Sequence, residues 1–172
     1  MPQSALLAPS STSPRSAILS GESPPRYRYA LERRWGSGPF VMFVGLNPST
    51  ADAETDDMTV RKCCGFARRW GAGGILIGNL YALRSTHPVG LSMVDDPIGN
   101  DCDTWLAIMA LKSIQIVACW GASPYATPAR VKQVREIVGA ERSVACLGMT
   151  KAGFPRHPSR IGYDTELIAL PV

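Results

Sequence analysis

The run Phe40-Val41-Met42-Phe43-Val44 stops abruptly at Gly45-Leu46-Asn47-Pro48-Ser49. A continuous apolar run bounded by turn-forming residues reads as a strand buried on both faces, and such strands belong to parallel sheets covered by helices. The amide of Asn47 then stands at the carboxyl end of a buried strand, where open α/β sheets bind their ligands.

Three further apolar runs repeat the arrangement. Ile75 to Gly78 leads into Asn79, Ile114 to Cys119 leads into Trp120-Gly121-Ala122-Ser123, and Ser143 to Leu147 leads into Gly148-Met149-Thr150-Lys151. Between them, Val60, Cys63, Cys64, Ala67 and Trp70 recur at helical spacing, and helices are predicted over about 100–111 and 128–138. The alternation predicts an α/β protein with a four-stranded parallel core sheet and helices on both faces. Arg26 to Trp35 alternates as a half-exposed strand does. With Gly36-Ser37-Gly38 it predicts an N-terminal hairpin onto residues 40–44 at a sheet edge. Residues 1 to about 24, rich in Ser, Pro and Ala, read as a mobile tail, and 25–172 as one domain.

The net charge of +4 permits a polyanionic partner without demanding one. No apolar run approaches the roughly 20 residues that span a bilayer, and the first residues lack the pattern of a secretion signal. A cytoplasmic monomer with no membrane partner is therefore expected. The five cysteines show no C-x-x-C spacing and read as reduced core residues, so no iron–sulfur cluster is expected.

In a parallel sheet the four strand ends lie on one edge and converge on one pocket. The last of them continues into Pro155-Arg156-His157-Pro158-Ser159-Arg160, a rigid basic loop carrying one of two histidines. Asp52, five residues beyond Asn47, is the carboxylate expected near the site, whereas Asp56 and Asp57 read as a helix N-cap with its neighbour. Each polar residue also has a plainer reading. Asn47 before proline can be a turn residue, Asn79 a loop anchor, and His157 an inert surface side chain.

The motifs LNPSTAD, DD-x-T-x-R, NLYALR and TK-x-G-x-PRHP resemble a bacterial and phage family known only as a domain of unknown function, over about Arg26 to Leu170. In the same order, GLNPS, ILIGNLYALR, IVACWGAS and RHPSR are similar to the four site motifs of the uracil-DNA glycosylase superfamily. That resemblance implies a three-layer glycosylase fold and the flipping of a nucleotide out of double-stranded DNA, with neither metal nor cofactor expected because stabilising the leaving base replaces Lewis-acid activation. It implies that Asn47 orients the attacking water, that Asn79 reads the extruded base, and that His157 donates to a base oxygen. Ser49, Ser123 and Ser159 would hold phosphates, with Lys151, Arg156 and Arg160 as a cationic rim. The segment TADAETDDM lacks the aromatic residue that would stack on the base, so Tyr81 or Phe154 is expected to replace it. This departure, and Arg160-Ile161-Gly162 where a wedge residue is expected, favour a modified pyrimidine such as glucosylated hydroxymethylcytosine in phage DNA, hence antiviral defence. The alternatives are uracil or mismatch repair, a catalytically inactive nucleic-acid-binding module, and a hydrolase or transferase acting on free nucleotides.

Overall fold

A computed structural model describes residues 15–140 and 142–171. Its strands are β1 (Arg15–Leu19), β2 (Arg28–Arg34), β3 (Phe40–Gly45), β4 (Gly74–Asn79), β5 (Ser113–Ala118), β6 (Val144–Cys146) and β7 (Ile168–Ala169). The helices are α1 (Met58–Arg69), α2 (Cys102–Lys112) and α3 (Pro128–Gly139). Among the described residues no helix is long and apolar enough to cross a membrane.

The sheet is seven-stranded and mixed, in the order β1-β2-β4-β3-β5-β6-β7, not the four-stranded parallel sheet expected. β4, β3, β5 and β6 run parallel to one another, while β1, β2 and β7 add antiparallel strands at the two ends. β2 pairs with β4 and β1, so it forms no hairpin with β3. Arg34 and Phe40 both lie opposite Gly74, which puts β4 between them. The turn Gly36-Ser37-Gly38 instead bridges the start of β4. A Cβ on Gly73 would lie 2.3 Å from the Gly38 nitrogen, so the two backbones approach as only glycine permits. β1 falls within the segment expected to be a tail, and the remainder of that segment, 1–14, lies outside the described residues. Arg15 on β1 bonds the Asp56 carboxylate at 2.8 Å.

Side chains along β3 alternate between two cores. Val41 and Phe43 meet Val60, Cys63, Phe66 and Ala67 of α1, while Met42 and Val44 share a core with Leu106 and Met109 of α2 and Val134 and Val138 of α3. Helices therefore cover both faces, giving three layers. Asp57 caps α1, its carboxylate accepting from the Val60 N–H at 2.9 Å. The segment from β3 leads to β4 on one side, whereas β5 leads to β6 on the other. This reversal between β3 and β5 opens a crevice at their carboxyl ends.

Candidate functional site

A cavity of about 460 Å³ occupies that crevice. Its apolar floor is Phe43, Ile77 and Cys119 from the strands with Val60 and Cys63 from α1. Burial drives the Cys63 thiol well above its ordinary pKa, so it behaves as a small apolar residue. Among the described residues no group of three or more His, Cys, Asp or Glu side chains is placed to hold a metal ion.

Asn47, Asn79 and His157 all line this cavity. Asn47 follows β3. Its Nδ2 donates to the carbonyls of Ser85 at 2.9 Å and Pro48 at 3.0 Å, which fixes the donor end of the amide against the 85 loop. Asn79 ends β4, and the parallel pairing runs on past it, Leu80 N–H donating to Gly45 O and Tyr81 N–H to Leu46 O. The Asn79 side chain is 6% exposed and its Nδ2 has no partner among the described residues. Leaving a buried donor unpaired costs about 1–3 kcal/mol, so this atom is poised for an acceptor. A Cβ on Gly45 would sit 2.7 Å from Asn79 Oδ1, which explains glycine at the end of β3.

His157 comes from the loop after β6. Gly121, with φ +74°, holds that loop by donating its N–H to Pro155 O at 3.0 Å, and its missing side chain admits His157, whose Cβ would lie 3.2 Å away. The imidazole is exposed on its outer side. Desolvation by the surrounding protein lowers its pKa below the ordinary value, with Asp57 partly opposing. The Ser159 N–H points at Nδ1 over 3.4 Å and Ser159 Oγ lies 3.0 Å from it. Nδ1 thus accepts, and the proton of the neutral ring sits on Nε2.

Of the other expected residues, Ser49 and Ser123 line the cavity, and Ser123 Oγ accepts from the Tyr125 N–H at 3.3 Å. Ser159 is beside His157, while Lys151, Arg156 and Arg160 are exposed. Asp52 does not line the cavity. Its Oδ1 accepts from the Thr55 and Glu54 N–H groups, each at 2.9 Å, and these bonds lower its pKa. The carboxylate in the cavity wall is that of the cap, Asp57. Tyr81 packs in the core beneath α2 and α3 and donates its hydroxyl to Tyr125 O at 2.7 Å, and Phe154 packs against the same core. Neither lines the cavity, whose aromatic lining residues are Phe43, Trp120 and Tyr125. Trp120 and Tyr125 belong to the W-G-A-S-P-Y loop after β5, so the motif contained the signal that a search near the first loop overlooks.

Arg28 has no counterpart in the sequence reading. β2 runs antiparallel to β4, so the strand begins where the parallel strands end, which brings Arg28 to the cavity. It is 4% exposed, its Nη1 donates to Ala51 O at 2.6 Å, and its Nε has no partner among the described residues. Burial lowers its pKa to about 10, still protonated at neutral pH, with Asp57 opposing the shift. Arg33, equally buried, bonds the Asp56 carboxylate at 2.8 Å and also donates to Asp52 O. Two buried arginines thus hold the loop between Asn47 and α1 from beneath.

Residues 28–159 match the model of a family described as "Protein of unknown function (DUF1643)", and the chain belongs to that family. No curated protein and no solved structure matches it significantly.

Proposed function

We propose that this DUF1643 protein is a DNA glycosylase that extrudes a modified pyrimidine, hydrolyses its N-glycosidic bond and leaves an abasic site. The observation that carries this reading is the meeting of Asn47, Asn79 and His157, far apart in sequence, in one cavity at the sheet's carboxyl edge. The motif resemblance to uracil-DNA glycosylases supports the same roles.

Extrusion brings the target base into the cavity, where the unpaired Asn79 Nδ2 donates to an acceptor on its Watson–Crick edge. The glycosidic bond breaks with its electron pair leaving on the base, and His157 Nε2–H donates to a base oxygen as charge develops there. A neutral imidazole suits this task, because it donates without surrendering its proton. Asn47, its Nδ2 committed to loop carbonyls, presents its carbonyl oxygen to the attacking water. The water oxygen bonds to the sugar carbon and its proton passes to solvent. An amide is no general base, so bond breaking leads and water attack follows. The partner is double-stranded DNA, with Lys151, Arg156 and Arg160 exposed on the loop that carries His157. The favoured base is a bulky one such as glucosylated hydroxymethylcytosine in phage DNA, which makes the activity a form of antiviral defence. A cavity of about 460 Å³ lies in the range that accepts drug-sized ligands, more than a bare pyrimidine requires.

The test is incubation with duplexes bearing uracil, mismatched thymine, hydroxymethylcytosine or glucosylated hydroxymethylcytosine, followed by alkaline cleavage. Strand breaks at the modified base are expected. Intact strands in all four duplexes would end the glycosylase reading.

A further inference from the structure

The glycosylase roles use Asn47, Asn79 and His157, yet two charged groups of the cavity remain without a task. The Arg28 guanidinium is more than nine-tenths buried and keeps an unpartnered Nε–H. Asp57 lines the same cavity and is its charged neighbour. No ion pair joins them among the described residues: Arg28 keeps an unpartnered Nε–H, and Asp57 accepts from the Val60 N–H of the helix it caps. An oxyanion would satisfy Arg28 but would be repelled by Asp57. An apolar group would satisfy neither. A hydroxyl is both donor and acceptor, and a set of hydroxyls meets the two together.

We infer that the Arg28–Asp57 wall of the cavity binds the hydroxyl groups of a polyhydroxylated substituent on the extruded base, with Arg28 as a specificity-determining residue. The inference rests on the glycosylase reading for the base itself but concerns a different part of the ligand. Arg28 enters on β2, a strand outside the four parallel ones whose ends supply Asn47, Asn79 and His157. Its Nη1 is anchored on Ala51 O, so the fork is fixed in orientation beside the cavity that the residue lines. A fixed fork discriminates by geometry, which a lysine ammonium in its place does not reproduce.

The experiment compares two duplexes that differ only in a hexose on one hydroxymethylcytosine, both carrying a 2′-fluoro sugar that resists hydrolysis. Wild-type protein is expected to bind the hexosylated duplex at least tenfold more tightly. Arg28→Met and Arg28→Lys should each reduce that ratio to less than threefold. Asp57→Asn, which keeps an oxygen to cap Val60, should lower it as well and guards against a folding failure at position 28. A wild-type ratio near one, or a ratio that survives all three substitutions, overturns the inference. Excision of the same bases from unblocked duplexes is scored separately. If binding discriminates but no abasic site forms, the glycosylase reading fails and the hydroxyl site stands.

Discussion

Gly45→Ala tests whether Asn79 touches the base. The added Cβ would lie 2.7 Å from Asn79 Oδ1, whereas ordinary contact begins at 3.4 Å, so one atom must give by about 0.7 Å. Gly45 is fixed by its pairing with Asn79 and by the bond from Leu80 N–H to its carbonyl. The amide therefore moves, and its open side is the cavity. Misplacement by about 1 Å can cost about 10²-fold in rate, so a loss of about 10- to 100-fold in kcat/KM is expected, or about 1.4–2.7 kcal/mol. Stability should change little, because an off-rotamer side chain costs about 0.5–1.5 kcal/mol while replacing a strand glycine by alanine returns about 0.5–1 kcal/mol. Gly78→Ala is the control. Its Cβ would strike Leu106 Cδ2 at 2.6 Å on the α2 face, so it should lower Tm while depressing excision no more than the loss of folded protein explains. The assay is steady-state excision together with thermal melting. Wild-type kcat/KM in Gly45→Ala would remove Asn79 from the base contact.

His157→Ala should lower excision by about 10²–10³-fold, the typical loss of one preorganised donor at a developing anion, and Asn47→Ala should lower excision and also melting temperature, because it removes the bonds to Ser85 O and Pro48 O; near-normal rates in both would refute their assigned roles. Because burial holds the His157 pKa below 6.5, kcat should be flat above that pH and fall as protonation of Nδ1 expels the Ser159 N–H at lower pH. The folded ring binds protons less readily than the unfolded one, so stability too should decline as pH falls below about 6.5, and both acid limbs should vanish in His157→Gln. Arg33→Met removes the buried partner of Asp56 and the donor to Asp52 O, which should destabilise by about 2–4 kcal/mol and lower Tm by about 5–15 °C. Replacing Lys151, Arg156 and Arg160 together should flatten the log–log salt dependence of duplex binding by about 0.9 for each lost phosphate contact, and an unchanged slope in binding titrations would take this loop off the DNA.

The strands that sequence exposes most clearly are β3, β4 and β5, because each is apolar on both faces and bounded by glycine or polar turns. α1 is equally legible from Val60, Cys63 and Ala67 above an exposed face of Arg61, Arg68 and Arg69. β1 is not, since Arg15-Ser16-Ala17-Ile18-Leu19 acquires strand form from its pairing with β2 rather than from its own composition. β7 is two exposed residues paired to β6 and leaves no pattern. In the site, the amides and the histidine are readable because they stand at strand ends. Asp57 is the cap that its position predicts and also faces the crevice, whereas Asp52 is spent on an Asx turn, and only the fold decides which carboxylate lines the cavity. Arg28 is hidden for another reason. In a strand of alternating charges, a buried arginine is indistinguishable from a solvated one until the neighbouring strand is known.

The cavity wall draws on both ends of the matched region, Arg28 from the first strand it contains and His157 from near its last residue. Synthesis from the amino terminus delivers these in a fixed sequence. A nascent chain that has emerged only through β5 carries Arg28, Asn47 and Asn79 but has neither β6 nor the histidine loop that Gly121 docks. The cavity of such a chain lacks its His157 wall, so the crevice is completed only when the last part of the matched region has left the ribosome.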